Sequence, residues 1–188
     1  LILSKKIFVH LKSILVLFAN TLMISIYVNL DITMLGLMQG DFVTGVYKVT
    51  TKIYSAVKAM INGITVVFIP RLSNYIGHNK KGQYDDLLNK LLLALLVVVA
   101  PLAIGLIMTS RNVLLLVSGE EYLSGSISLI ILAFTLCIAM VSNVLLNAVL
   151  IIFHREKKAL QITTLSSVIN VVLNLIFIPI FSLNGAAF

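Results

Sequence analysis

The chain has 188 residues, of which 60% are hydrophobic and 11% are charged. A soluble domain averages about 25% charged residues, so this composition excludes an ordinary water-soluble globular protein and indicates a membrane protein. The formal charge of +7 is segregated between apolar segments and forms no soluble basic face. It therefore favours membrane topology, with the lipid bilayer as a partner, over nucleic-acid binding.

Five apolar segments of about 20 residues or more are predicted to cross the bilayer as helices. In chain order they cover residues 13–30, 42–69, 87–109, 123–150 and 160–181. These long runs lack the alternation of barrel strands, and only helices or closed barrels satisfy backbone polar groups in lipid. The predicted fold class is therefore all-α, a polytopic transmembrane helix bundle forming a single domain over residues 1–188. Pro70 is expected to end the second span.

The basic residues between the spans predict the orientation of the chain. If the N-terminal lysines are cytoplasmic, Arg111 is the one basic residue in an outer segment, and ten basic residues lie in inner segments. Those ten are Lys5, Lys6, Lys12, Arg71, Lys80, Lys81, Lys90, Arg155, Lys157 and Lys158. Such a bias follows the positive-inside rule. It also favours a second span that crosses the membrane, rather than an amphipathic helix that lies on the membrane surface. A surface helix would move seven of these residues outside.

The second span contains three lysines, which makes it the candidate functional segment. On a helix that advances 100° per residue, one third of its circumference is polar: Asp41, Thr44, Lys48, Thr51, Lys52, Ser55, Lys58 and Asn62. The opposite side is apolar: Val46, Val49, Ile53, Val57, Met60 and Ile64. A lysine near the bilayer centre costs about 2.5–3.5 kcal/mol unless it faces water or a partner.

We therefore interpret the polar side as one wall of a cationic cavity. The candidate substrate-binding residues are Lys48, Lys52, Lys58, Thr51, Ser55 and Asn62. Such a wall suits an anionic ligand, because charge-assisted hydrogen bonds to phosphate are strong where water is partly excluded.

Purely structural roles are also open to these residues. The head of Lys48 could snorkel to the outer surface, and the lysines could pair with Asp31, Asp41, Glu120 or Glu121. Small polar groups such as Thr51 and Ser55 also serve helix–helix packing, as paired amides do. The amide pairs Asn143/Asn147 and Asn170/Asn174, each one helical turn apart, are interpreted in this structural way.

The sequence gives no sign of catalysis or of a cofactor. The three histidines are scattered, without cysteine or carboxylate at metal-ligand spacing, and no phosphate-binding glycine loop is present. The acids, Asp31 among them, are expected in loops or at helix ends, and the sequential pairs Asp85–Asp86 and Glu120–Glu121 are expected to be solvated, since sequence neighbours do not face one another. We expect a non-enzymatic protein without a metal site or cofactor.

Several short motifs resemble one known family. They are Asp31-x-x-Met34-Leu35-Gly36, Gly45-x-Tyr47 followed by Lys52-Ile53, Ile69-Pro70-Arg71-Leu72-Ser73, Gly119-Glu120-x-Tyr122, Asn170-x-x-x-Asn174, Ile178-Pro179 and Gly185-Ala186-Ala187. In this order they resemble the second half of bacterial polysaccharide repeat-unit flippases, the O-antigen and capsule exporters of the multidrug/oligosaccharidyl-lipid/polysaccharide superfamily. One departure is Thr50-Thr51, where family members often place a small alanine.

The resemblance implies a MATE-like transporter of two six-helix bundles around a central cavity. This chain would be a fragment holding most of the second bundle, with the N-terminal half of the same chain missing. The implied activity is translocation of undecaprenyl-pyrophosphate-linked oligosaccharide from the inner to the outer leaflet of a bacterial inner membrane.

Four rival functions follow from the residues and the superfamily. Two are a peptidoglycan-precursor flippase and a multidrug antiporter of the same superfamily; the antiporters mostly export cations, which a lysine wall repels. The third, a membrane enzyme such as a polysaccharide polymerase or ligase, would be expected to carry a large outer loop. The fourth is a noncatalytic assembly scaffold.

Overall fold

The computed structural model describes residues 2–187, with the side chains of residues 11, 14–26 and 28–187. Five long helices follow one another: α1 (Ile2–Gln39), α2 (Asp41–Gly77), α3 (Lys81–Ser118), α4 (Ser126–Val144) and α5 (Glu156–Phe181). A 3-10 segment (Glu120–Gly125) precedes α4, a π-helical segment (Leu145–Ile151) extends it, and a second 3-10 segment (Ser182–Ala187) follows α5. All five elements are long and apolar enough to cross a membrane, which confirms the predicted all-helical fold with five spans.

The connections between the helices are short. Gly40 alone joins α1 to α2, and Gly119 alone joins α3 to the 3-10 segment before α4, with φ angles of 85° and 87°. Positive φ is costly for residues with a Cβ, so glycine at these two positions permits an immediate reversal of the chain. The other two turns are built around Asn79 and His154, also at positive φ.

The helices form two groups that meet near Gly40. One group is the pair α1 and α5, and the other is α2 with α3 and α4. A cluster that includes Leu35, Tyr47 and Ile178 joins the groups at the α1–α2 turn. Further along α2, two clusters of buried side chains contain residues of α2, α3 and α4 and none of α1 or α5 among the described side chains.

Two close contacts fix the rotation of α2 about its axis. The hydroxyl of Tyr47 donates a hydrogen bond of 2.7 Å to the buried carbonyl of Ala186, after α5. On the other side Gly125 lies against α2, where a Cβ would overlap Thr50 Oγ1 and approach Val46 Cγ1 to 3.0 Å. The start of α2 is thus held between the end of α5 and the start of α4.

The prediction that Pro70 ends the second span was wrong, because α2 continues through it to Gly77. Proline removes one backbone hydrogen bond and frees the carbonyl four residues earlier, here that of the exposed Val66. Beyond Pro70, Leu72 is fully buried, and Tyr75 and Ile76 pack on the same cluster. This packing holds the last two turns in helical conformation despite the proline.

We predict that Gly125→Ala destabilises the fold, because the added methyl group must displace Thr50 and Val46 on α2. Overpacking of this kind costs about 1–3 kcal/mol, so the thermal unfolding temperature of the purified protein should fall. The matched control is Gly105→Ala in α3, where a Cβ meets nothing within 4 Å. Equal unfolding temperatures for the two variants would contradict the close contact.

We also predict that Tyr47→Phe lowers the thermal unfolding temperature, because it leaves the buried Ala186 carbonyl without this donor. The expected loss is about 1–3 kcal/mol, the cost of an unsatisfied buried polar group. Tyr75→Phe is the control, since the Tyr75 hydroxyl bonds the exposed Arg71 side chain at 3.1 Å. A Tyr47→Phe variant as stable as the Tyr75→Phe variant would exclude this role of the hydroxyl.

Candidate functional site: a cationic face on helix α2

The apolar side of α2 packs into the interior of the three-helix group. Val46 is fully buried, and Val49, Ile53 and Val57 pack against a cluster of α3 and α4 side chains. The cluster consists of Leu106, Leu114, Leu129 and Ala133. Met60 is an exception to the predicted apolar side, because it is 76% exposed. It lies at the edge of the buried side, beyond the reach of α3 and α4.

The polar side of α2 points away from α3 and α4. Lys48, Lys52 and Ser55 are exposed, whereas Thr51, Lys58 and Asn62 are half-buried at the border with the packed side. We define these six residues as the cationic face. The residues interleaved with them are small, since Ala56, Ala59 and Gly63 are also exposed. The bulky α2 side chain beside these residues is Tyr54, next to Lys58, whereas the exposed neighbours Ala56, Ala59 and Gly63 leave space beside Lys52.

Lys58 has the least water available of the three lysines. It is half-buried, and its Nζ lies 5.3 Å from the centroid of the Tyr54 ring. Lys58 lies 17 residues after the start of α2, about 25 Å along the axis. Lys58 is near the middle of this 37-residue helix, so a helix centred in the roughly 30 Å hydrocarbon core places it deeper than a lysine side chain can bridge by snorkelling. A cation over an aromatic ring is stabilised by the ring quadrupole, by about 0.5–2 kcal/mol.

Acidic partners for these lysines are not found among the described side chains. Two ion pairs are found among these side chains. Nζ of Lys90 lies 2.7 Å from Oδ2 of Asp86, and Nδ1 of His154 lies 3.7 Å from Oε1 of Glu156. Both pairs are formed by residues of elements other than α2. The alternative that Lys48, Lys52 or Lys58 pairs with an acid of this chain is thus not realised in the part that the structure describes.

The neutral residues of the cationic face differ in their hydrogen bonding. The Thr51 hydroxyl donates to the backbone carbonyls of Tyr47 and Lys48, at 3.0 and 3.1 Å. Its single proton is thus used within the helix, and its oxygen can accept from a ligand. The side chains of Ser55 and Asn62 form no hydrogen bond within the described part of the chain, so both donors and acceptors remain available.

The position predicted for Asp31, in a loop or at a helix end, was wrong. Asp31 lies eight residues before the end of α1 and is half-buried against α5, where its Oδ1 accepts a 2.6 Å hydrogen bond from Asn174 Nδ2. The apolar run ends at Leu30, which made Asp31 resemble a boundary residue. The eleven-residue spacing from Asn20 places both residues on one face of a helix, because eleven residues complete about three helical turns, but it does not indicate the burial of Asp31 against α5.

One of the two asparagine pairs, Asn170/Asn174, bonds a neighbouring helix as the structural interpretation predicts, and the hydrogen bonds of Asn143/Asn147 stay within one helix. Asn174 bonds Asp31 on the neighbouring α1 and lies 3.3 Å from Asn170 Oδ1. Asn147 donates to Asn143 within its own helix. In the described part of the chain, no group of three or more His, Cys, Asp or Glu residues could hold a metal ion.

Comparisons with known proteins agree with the membrane architecture. The family model described as "Polysaccharide biosynthesis protein" matches residues 4–128, which include α2 and the whole cationic face. One curated relative, named "Probable low-salt glycan biosynthesis flippase Agl15" and from Haloferax volcanii, is 24% identical over 168 residues. No solved structure matches the chain.

The alignment to this relative covers 86% of the chain but 34% of the relative. The chain therefore spans about a third of the length of the curated protein that it matches. The family match extends over more than half of the chain and includes three of the five membrane-spanning helices. This chain, a multi-pass membrane protein, belongs to the polysaccharide biosynthesis protein family.

Proposed function

We propose that this chain is part of a flippase that moves lipid-linked oligosaccharides across the membrane for surface polysaccharide synthesis. The observation that carries the proposal is the cationic face, with three lysines on one membrane-spanning helix and no acidic partner among the described residues. Membership of a polysaccharide biosynthesis family and similarity to a protein named as a glycan flippase support it.

The substrate chemistry follows from the charge of this face. A glycan that is assembled on a lipid carrier through phosphate or pyrophosphate is anionic at the sugar–lipid junction. Lys48, Lys52 and Lys58 would attract that junction, and Thr51, Ser55 and Asn62 would hydrogen-bond the first sugars or bound water. The resemblance to repeat-unit exporters makes undecaprenyl pyrophosphate the proposed carrier.

The small residues beside the lysines favour a cavity over lipid contact. Ala56, Ala59 and Gly63 leave a shallow surface beside the charges, whereas the exposed side of α4 carries bulky residues such as Phe134 and Ile138. Acyl chains solvate the bulky apolar side chains of α4 well. Placing an uncompensated ammonium group among acyl chains instead costs several kcal/mol of free energy. The proposed N-terminal half of the transporter would close the cavity opposite α2.

The whole transporter is proposed to have two six-helix bundles, of which this chain supplies most of the second. The short coverage of the curated relative is consistent with a longer protein. The basic residues near the α2–α3 and α4–α5 turns favour an orientation with these turns in the cytoplasm and the turns at Gly40 and Gly119 outside. The proposed location is the inner membrane of a bacterial cell.

A transport role explains the short connections better than membrane catalysis does. On the proposed outer side, Gly40 alone joins α1 to α2, and the seven residues Gly119–Gly125 join α3 to α4, so these two connections offer no extended loop in which to assemble a catalytic site. Alternating access would then rock one bundle against the other, exposing the same face first to one side of the membrane and then to the other.

We predict that replacing both Lys52 and Lys58 with Gln abolishes export of surface polysaccharide while the protein remains in the membrane at its normal level. Removal of these charges weakens attraction for the phosphate junction without changing the packed side of α2. The variant is expressed in a strain from which the gene for this protein has been deleted. The measurements are the amount of surface glycan and the amount of lipid-linked oligosaccharide retained inside the cell.

Two controls accompany this experiment. The variant with both Lys52→Arg and Lys58→Arg keeps both charges and should retain export. Lys90→Gln removes an exposed lysine that is paired with Asp86 on α3 and is not part of the cationic face, so it should also retain export. Full export by the double Gln variant would contradict the proposed role. Lysis with arrested wall synthesis in the deletion strain would instead identify a peptidoglycan-precursor flippase, and altered drug sensitivity with normal glycan an antiporter.

A further inference from the structure

A second group of positive charges lies where the α2–α3 turn meets the α4–α5 turn, at the opposite end of α2 from Lys48. Its five side chains are exposed, and none of them forms an ion pair with a described residue. We define these five residues as the basic turn cluster: Lys80, Lys81, Arg155, Lys157 and Lys158. The cluster is separate from the cationic face, which lies along the middle of α2.

Two contacts of Tyr84 join the two turns. Its hydroxyl donates a buried hydrogen bond of 2.9 Å to the carbonyl of Ala148, in the π-helical segment that extends α4. Its ring meets the ring of Phe153 edge to face, with 5.6 Å between the centroids. Lys81 lies within one helical turn of Tyr84, and Arg155 follows Phe153 by two residues. These contacts therefore bring the charges of both turns to one surface.

The acids on these turns offset little of the positive charge. The carboxylate of Asp86 is paired with Lys90 at 2.7 Å, and that of Glu156 lies 3.7 Å from Nδ1 of His154. Asp85 is exposed and forms no ion pair within the described part of the chain. Five cations on one surface repel one another unless an anion lies among them, so the surface is suited to an anionic ligand.

The surroundings of the cluster favour a lipid over a soluble anion. The cluster lies at the ends of membrane-spanning helices, where headgroups meet water. Beyond it, the exposed side of α3 becomes apolar at Leu93, Leu96 and Val97. A ligand with an anionic head and an apolar body matches both surfaces in turn. An acidic protein would match the charges and leave the apolar side uncovered.

We propose that the basic turn cluster binds the phosphate headgroup of an anionic glycerophospholipid, whose acyl chains lie along the exposed apolar side of α3. The phosphate would accept charge-assisted hydrogen bonds from Lys80 and Lys81 on one turn and from Arg155 and Lys158 on the other. Basic pockets between membrane-spanning helices bind lipid headgroups in this way. The inference is independent of the proposed function, because binding a bilayer phospholipid requires neither oligosaccharide nor transport.

The test uses the intact protein in nanodiscs that contain phosphatidylglycerol and phosphatidylcholine in equal amounts. Native mass spectrometry counts the lipids that stay bound after release from the nanodisc. Wild-type protein should retain one phosphatidylglycerol in preference to phosphatidylcholine. The variant with both Lys80→Gln and Lys81→Gln should lose this preference, since each basic residue near a headgroup strengthens anionic lipid binding about fivefold.

Matched variants test whether the two turns form one site. The variant with both Arg155→Gln and Lys158→Gln should lose the same single lipid, whereas Lys80→Arg with Lys81→Arg should keep it. Arg111→Gln removes an exposed charge near the other end of α3 and should also keep it. If each Gln pair removes a different phosphatidylglycerol molecule, the two turns bind independently and the shared site is overturned.

Two further outcomes would overturn the proposal. Equal retention of phosphatidylglycerol and phosphatidylcholine by the wild-type protein would exclude recognition of the anionic headgroup. Displacement of the bound lipid by excess inorganic phosphate would identify a site for a free anion, because a lipid held also by its acyl chains should stay bound.

Discussion

The cost of placing a lysine ammonium group in hydrocarbon governs the arrangement of this chain. Lys58 lies about 25 Å along α2, too far from either end of the helix for its side chain to reach bulk water there. We infer that the helix turns this side toward a hydrated or anionic environment. The apolar residues on the opposite side of α2, packed against α3 and α4, hold it in that orientation.

The contacts at the start of α2 fix the rotation of this helix relative to the rest of the fold. Tyr47 bonds the carbonyl of Ala186 after α5, and Thr50 lies against Gly125 at the start of α4. Both contacts lie within one turn of Lys48. A rotation of α2 that would bury the lysines would also break a buried hydrogen bond and a close helix contact. Packing at one end of the helix thus sets the direction of the charges along its length.

Much of this architecture could be predicted from the sequence, because the properties involved are local. Apolar segments long enough to cross a bilayer predict five helices, and helical periodicity separates the side of Lys48 and Lys52 from that of Val49 and Ile53. The exposure of Met60 shows what helical periodicity cannot predict. Whether a residue at the edge of a stripe is buried depends on how far the neighbouring helices extend, which one helix cannot indicate.

Features that depend on partners distant in sequence were not predictable in the same way. Asp31 has the spacing of a boundary residue, and its burial depends on α5, whose Asn174 lies 143 residues away in the chain. Pro70 is a helix breaker by local rules, yet Leu72 and its neighbours keep the helix intact through packing on α3 and α4. Sequence patterns describe each helix, whereas the pairing of helices decides which polar groups become buried.

The cationic face of α2 is proposed to border water and not acyl chains. Single cysteines introduced at Lys52, Ser55, Ile53 and Phe134, after replacement of Cys137, can be treated in intact membranes with a water-soluble thiol reagent. Only a hydrated thiol ionises and reacts readily. We expect labelling at 52 and 55, protection at 53 inside the helix packing, and protection at 134, where a 68% exposed side chain would face lipid. Unreactive cysteines at 52 and 55 in every transport state, with reaction at 134, would contradict the account.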